Sequence, residues 1–245
     1  MKIEKRTTRK VMTLAQRIRQ GEIILVNKPA GWTSYKVVDK IKKWFKIKKA
    51  GHGGTLDPFA TGLLIVATGK KTKELSKITE LDKEYEGVME LGAVTESYDP
   101  ETEIIERRNL NGITEEKILE TAKHFIGEIE QIPPMYSAVK YKGKPLYEFA
   151  RKGINIERKP RKVKIYDFSI LEVDLPEVRF RVRCSKGTYI RTLVYDFGEK
   201  LGCGAYLKSL VRTKIGEYKL EDALTVDELK KISLQGADGG SQKHK

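Results

Sequence analysis

The sequence predicts an α+β fold built around a mixed sheet. Strand-like and helix-like segments do not alternate one for one, which argues against a doubly wound parallel sheet. Two of the strands, residues 163–174 and 178–184, are separated only by a Leu-Pro turn and so form a pair. Neither an internal repeat nor a long linker breaks the 245 residues. They divide into a basic N-terminal arm (1–20), one large domain (21–225) and a short helix with a disordered, Gly-rich tail (226–245).

The elements follow in order. Leu14–Arg19 has helical spacing within the basic arm, and EIILVN (22–27) is a short buried strand closed by a KPAG turn. SYKVVDKIKKWF (34–45) places Val37, Val38, Ile41, Trp44 and Phe45 on one helical face, with Thr33 or Ser34 as the cap. LLIVAT (63–68) is apolar throughout and suits a strand buried on both faces. DKEYEGVMELG (82–92) alternates as a strand, and residues 113–131 read as one amphipathic helix capped by Thr114. Residues 132–162 mix Pro, Tyr, Lys and Gly and read as an irregular insertion with one short helix. GTYIRTLVYDFGEKLG (187–202) is a helix stopped by Gly202, and AYLKSLVRTKIG (205–216) returns as a strand.

Charge narrows the function. Lys+Arg exceed Asp+Glu by 48 to 34, a net charge of +14 that draws polyanions, nucleic acid above all. Cys184 and Cys203 stand apart with no CxxC neighbour, which fits a reducing cytoplasm. No apolar run is long enough for a membrane span, and the N-terminus lacks the apolar core of a signal peptide.

Several motifs fail. Gly62 to Gly69 leaves six residues where a phosphate loop needs four, and Leu207 stands where GxGxxG needs its third Gly. Three histidines, His52, His124 and His244, show no metal-ligand spacing, and no GxSxG elbow is present. What remains is GHGGTLDPFATG (51–62), which surrounds Asp57 with glycine at the mouth of an apolar strand. Gly51, Gly53 and Gly54 are expected to let a bulky ligand approach the backbone.

GHGGTLDPFATGLLIV closely resembles the active-site motif of the TruB family of tRNA pseudouridine synthases. ILVNKPAGWTSYKVV resembles that family's Lys-Pro-x-Gly-x-Thr-Ser motif, and KEYEGVMELGAVTESYD its strand motif ending in Leu-Gly-x-x-Thr-x-Ser-x-Asp. IPPMYSAVKYKGKPLYEFARKG resembles the family's insertion, and CSKGTYIRTLVYDFGEKLGCGAYLKSLVRTKIG its last motif and return strand. The matches run in order over roughly residues 21–225. Two departures stand out. His52-Gly53-Gly54 replaces the usual His-Thr-Gly or His-Ser-Gly, and the C-terminal PUA domain of many members is expected to be absent or truncated.

The resemblance implies a largely antiparallel pseudouridine synthase fold and isomerisation of uridine to pseudouridine at position 55 in the tRNA T-loop, with the base flipped out. It implies no cofactor and no metal, because the reaction gains neither electrons nor groups. Asp57 is then the catalytic carboxylate, acting either on the sugar as a nucleophile or as the base of a glycal route. Arg191 is its expected cationic partner, since an unpaired carboxylate in a dry pocket tends to protonate. Tyr85 is expected to stack on uracil and assist loss of the C5 proton. Tyr189 and Leu210 line the base pocket, His52 binds the T-loop, and Gly54 and Thr55 contact substrate. Lys28, counted with the substrate-binding residues, and Pro29 are expected to buttress the Tyr85 strand.

The candidate phosphate surfaces are the Lys-rich stretch 40–49, the basic arm and, above all, the insertion with Lys140, Lys142, Lys144, Arg151, Lys152, Arg158, Lys159, Arg161 and Lys162. The partner implied is the T-stem-loop of tRNA, met by a cytoplasmic monomer that needs no protein partner. A non-catalytic tRNA-holding chaperone could use the same surface, but it has no need of Asp57, Tyr85, Tyr189 and Arg191 as a set.

Overall fold

The computed structural model describes residues 12–238. In chain order its elements are α1 (Leu14–Gln20), β1 (Ile23–Lys28), α2 (Ser34–Phe45), β2 (Ala50–His52), β3 (Thr61–Thr68), α3 (Leu75–Glu80), β4 (Lys83–Leu91), β5 (Ala93–Thr95) and β6 (Ile104–Arg107). There follow α4 (Glu115–Lys123), β7 (Gly127–Gln131), β8 (Lys140–Tyr141), β9 (Lys144–Pro145), α5 (Leu146–Ala150), β10 (Arg161–Asp174), β11 (Glu177–Cys184), α6 (Ile190–Leu201), β12 (Ala205–Ile215), β13 (Tyr218–Lys219), β14 (Leu224–Thr225) and α7 (Val226–Asp238).

The architecture is the mixed sheet expected of an α+β chain. The order is β14-β1-β3-β12-β4-β11-β10-β7, with β2 on β3 and β13 on β12. Only β1/β14 and β3/β12 run parallel; the other pairs in this sheet are antiparallel. Helices α4 and α6 cover one stretch of it, burying Ile118, Leu193 and Phe197 against Phe168 and Phe180. Helices α1, α2 and α7 cover another, burying Ile18, Ile41, Phe45 and Leu229 against Val26, Leu64 and Val66.

Local sequence explains most of these elements. Thr33 accepts a hydrogen bond from the Lys36 amide and caps α2. Strand β4 alternates buried and half-buried residues along its whole length, whereas β3 is buried at every position but the first. Gly202, at φ 88°, closes α6 with a left-handed cap.

Three expectations are corrected. The helix over 113–131 ends at Lys123, and Glu128–Gln131 pairs in β7 with Arg161–Lys164 of β10. Glu128-Ile129-Glu130 satisfies a two-residue alternation as well as a helical one, and Gly127 at φ 112° breaks the helical path. The basic arm is not wholly an appendage, because Ala15 and Ile18 of α1 are buried in the core with α2 and α7. Its residues 1–11 lie outside the described residues, as do 239–245 of the Gly-rich tail, whose residues 235–238 belong to α7.

Strand β12 is the junction of the sheet. It runs beside β4 over Ala205–Ile215 but meets β3 only at Val211–Thr61 and Arg212–Gly62. The backbones are so close there that a Cβ on Gly62 would sit 2.5 Å from the Arg212 carbonyl oxygen, and Gly62 has φ +98°. Below this crossing β1 ends in Lys28, which is fully buried. Its ammonium donates to the carbonyls of Trp32 (2.7 Å), Pro29 (3.0 Å) and Pro58 (3.3 Å). Lys28 therefore anchors the loop after Asp57 and not the Tyr85 strand, from which β3 and β12 separate it.

Gly62→Ala should lose roughly 2–4 kcal/mol of stability, through combined steric overlap and left-handed strain, measured by urea denaturation. Burial lowers the Lys28 pKa from 10.5 to about 8, against the pull of Asp57. The unfolded chain thus binds the extra proton between those two values, and stability from this group rises with pH across that window. The urea midpoint of the wild type should accordingly gain on that of Lys28→Met as pH is raised from 8 towards 10.5.

Candidate active site

Asp57 sits in the loop between β2 and β3, and the backbone of that loop is tied down on three sides. The Leu56 amide donates to Ser34 Oγ (2.8 Å), which in turn donates to the Leu56 carbonyl (3.1 Å). Lys28 holds the Pro58 carbonyl from beneath. Arg212, 1% exposed, donates to the carbonyls of Leu63 (2.7 Å), Gly54 (3.2 Å) and Thr55 (3.3 Å). Hydrogen bonds from a cation to a carbonyl are each worth about 1.5–3 kcal/mol, and they offset the cost of burying Lys28 and Arg212.

The glycines of this loop serve a different purpose from the one expected. A Cβ on Gly51 would come within 2.9 Å of Leu75 Cδ1, and one on Gly53 within 2.5 Å of Ile78 Cγ2. Both face the protein interior, where they let β2 press against α3, and not a ligand. Gly54 is needed for its backbone, at φ +110°, which turns its carbonyl to Arg212.

The side chain of Asp57 is engaged from above by Arg191 in the first turn of α6. Arg191 Nε lies 2.9 Å from Asp57 Oδ2, and Nη2 donates to Oδ1 at 3.2 Å, a bidentate pair. The Arg191 side chain is 4% exposed and that of Asp57 33%, so the carboxylate looks outward from a buried counter-charge. Arg191 is itself fixed by the carbonyls of Tyr136 (2.8 Å) and Ser97 (3.1 Å) and by Asp99 Oδ2, 3.4 Å from Nε. Asp99 is fully buried, and Ser97 Oγ (2.6 Å) and the Glu101 amide (2.9 Å) donate to its Oδ1. Burial pushes the Asp99 carboxyl above its usual range, with Arg191 opposing.

A cleft of about 350 Å³ opens over Asp57, within the range of small-ligand sites. It brings together Asp57, Tyr85, Arg191, Tyr189, Leu210 and Thr55. Tyr85 of β4 and Leu210 of β12 are both nearly buried and supply its flat apolar wall. Burial raises the pKa of the Tyr85 and Tyr189 phenols, so both are neutral at physiological pH. Gln131 fixes Tyr189 at both backbone groups, accepting from its amide (2.9 Å) and donating to its carbonyl (3.2 Å).

Three expected site residues do not line this cleft: His52, Lys28 and Gly54, whose carbonyl is turned to Arg212. His52 lines a neighbouring cleft of about 530 Å³ that shares Thr55 and Asp57 and is flanked by Tyr35 and Tyr147. Burial lowers the His52 pKa, and its Nδ1 is enclosed without a hydrogen-bond partner. Lys28 lies behind the loop and does not line the cleft. Asp99, Arg212 and Gln131 are the residues that sequence reasoning left without a role. The signal for Asp99 was available, since it closes the Leu-Gly-x-x-Thr-x-Ser-x-Asp stretch. Arg212 likewise lies in the quoted return-strand motif, whereas Gln131 carried no such signal.

Of the insertion's cations, Lys140, Lys142, Lys144, Arg151, Lys152, Lys159, Arg161 and Lys162 are exposed. Arg158 instead bonds the carbonyls of Ile156 and Pro133, so it braces the insertion. Among the described residues no helix is long and apolar enough to cross a membrane, and no cluster of His, Cys, Asp and Glu could hold a metal ion.

Two family models match the chain. One, described as the TruB family pseudouridylate synthase N-terminal domain, covers residues 42–190. The other, the tRNA pseudouridylate synthase B C-terminal domain, covers residues 191–243. A tRNA pseudouridine synthase B of Chloroherpeton thalassium is 51% identical over 214 residues, 85% of this chain and 89% of the relative. A protein of the same name from Flavobacterium johnsoniae is 48% identical over 217 residues, 84% of this chain and 93% of the relative. Among solved structures, a Cbf5-Nop10-Gar1 complex superposes with a TM-score of 0.71 at 34% identity over 93% of this chain. An H/ACA RNP bound to a substrate RNA containing 2′-deoxyuridine gives 0.70 at 31% identity over 94% of it. The chain spans about three-fifths of those two solved chains, 59% of each. With the fold, the ordered motifs and relatives of near-equal length in agreement, this chain belongs to the TruB family of pseudouridine synthases.

Proposed function

We propose that the protein isomerises uridine to pseudouridine in the T-loop of tRNA, at position 55, with Asp57 as the nucleophile. The observation that carries this is the bidentate Asp57–Arg191 pair at the floor of a cleft walled by Tyr85 and Leu210. The name borne by the relatives, tRNA pseudouridine synthase B, supports tRNA as the RNA.

The reaction breaks N1–C1′, turns the freed uracil and joins C5 to C1′. C5 gives up one proton and N1 gains one, so composition is unchanged. Positive charge develops at C1′ as the first bond opens, and a fixed carboxylate meets it without reorganising. Arg191 holds both oxygens of Asp57 and so fixes the plane in which the carboxylate faces the cleft. Tyr85 and Leu210 supply the apolar wall against which a turning base stays stacked. A T-loop uridine reaches such a cleft only by leaving its stack, at a cost of a few kcal/mol. The exposed cations of the insertion offset that cost through phosphate contacts.

A T-stem-loop RNA tritiated at uracil C5 tests the chemistry. The wild type should release tritium, and Asp57→Ala should reduce release by about 10³-fold or more while still binding the RNA. Tight binding without release from the stem-loop or from full tRNA would instead mark an RNA-holding protein. The insertion is tested by salt. Removing Lys142 and Lys144 together should weaken binding and lower the slope of log affinity against log salt by about 1–2. An unchanged slope would place the phosphates elsewhere.

A further inference from the structure

The segment that presents Ser97 and Asp99 to Arg191 is held in an unusual way. Between those two residues Tyr98 adopts φ 63°, in the left-handed region. For a bulky side chain that conformation is a genuine outlier and persists only where its surroundings over-determine it. Here they do. The Tyr98 amide donates to the Thr95 carbonyl (3.3 Å), and its carbonyl accepts from the Leu207 amide (3.0 Å). Its ring stacks on Tyr195, with centroids 4.0 Å apart and planes inclined by 20°.

Tyr195 lies four residues after Arg191 in α6, so the two share one face of the helix, a turn apart. Three successive residues of one loop therefore meet two residues of one helix. Ser97, through its carbonyl, and Asp99, through Oδ2, meet Arg191, and Tyr98 meets Tyr195. The left-handed turn at Tyr98 is what allows groups on both sides of it to converge on one guanidinium. With them displaced, Arg191 would keep only Asp57 and the Tyr136 carbonyl among these partners, and its plane could swing about that axis.

We propose that the Tyr98–Tyr195 ring stack is the clamp that sets the orientation of Arg191 and, through it, the Asp57 carboxylate, making Tyr98 and Tyr195 positioning residues for the isomerisation proposed above. Both rings are half-buried at the surface, and neither lines the cleft over Asp57. Their contribution should therefore appear in the chemical step and not in RNA affinity.

The test compares Tyr195→Ala, Tyr195→Phe and Tyr98→Gly with the wild type, in two measurements. The first is solvent exchange of the Arg191 Nε–H proton by NMR on the RNA-free protein. The second is single-turnover tritium release from C5-labelled tRNA, with the dissociation constant measured alongside. Tyr195→Ala should speed exchange and slow turnover by about tenfold or more, at unchanged affinity, as expected of a small misplacement of a catalytic group. Tyr195→Phe keeps the stack and should behave as wild type in both. Tyr98→Gly relieves the backbone strain but removes the ring, so it should resemble Tyr195→Ala. Unchanged Arg191 exchange in Tyr195→Ala overturns the clamp, as does faster exchange with wild-type turnover, or a Phe variant as impaired as the Ala variant. Absence of tritium release from the wild type would count against the isomerase function, while the exchange measurement would still decide whether the stack holds Arg191.

Discussion

A carboxylate in a cleft keeps one orientation only if the counter-ion that holds it is itself fixed, and Arg191 is built to be that ion. It is nearly buried, and the partners that fix it come from three separate parts of the chain. Asp57 comes from the β2–β3 loop, Ser97 and Asp99 from the segment after β5, and Tyr136 from the insertion. A guanidinium offers five donors in one rigid plane, which suits such a hub better than an ammonium could. The mixed sheet makes this convergence possible, because β12 crosses from β3 to β4 beside the Asp57 loop.

The same economy governs the underside of the loop. Two more cations, Lys28 and Arg212, lie fully or almost fully buried and address backbone carbonyls. The three cations divide the labour between backbone and side chain: Lys28 and Arg212 fix where the Asp57 loop runs, and Arg191 fixes how the carboxylate points. The buried contacts of these two cations go to the backbone carbonyls of the loop and its neighbours, so their hold on the loop is independent of the Asp57–Arg191 pair. Rigid support of this kind lets a site act by electrostatic preorganisation and spares it rearrangement during the reaction.

Much of the fold was legible in the sequence because local periodicity and tertiary burial agree there. The capped α2, the wholly apolar β3 and the alternating β4 each bury the face their pattern predicts. Legibility failed where one pattern admits two structures. Glu128-Ile129-Glu130-Gln131 became a strand because the edge of β10 was open to pair with it. Ala15 and Ile18, embedded in a strongly basic stretch, became core because α7 returns from the far end of the chain to cover them.

By itself the sequence determined most of the elements, the order of the motifs and hence the family, since those are properties of residues read in line. It also determined which residue types were available for chemistry, Asp57 and Arg191 among them. Only the tertiary structure decided which groups meet. Gly51 and Gly53 turned out to face α3, Lys28 to hold the Asp57 loop and not the Tyr85 strand, and Asp99 to share Arg191. These outcomes depend on where a side chain points once distant strands are brought into register. That direction is set by packing across separations of tens of residues, which no local pattern encodes.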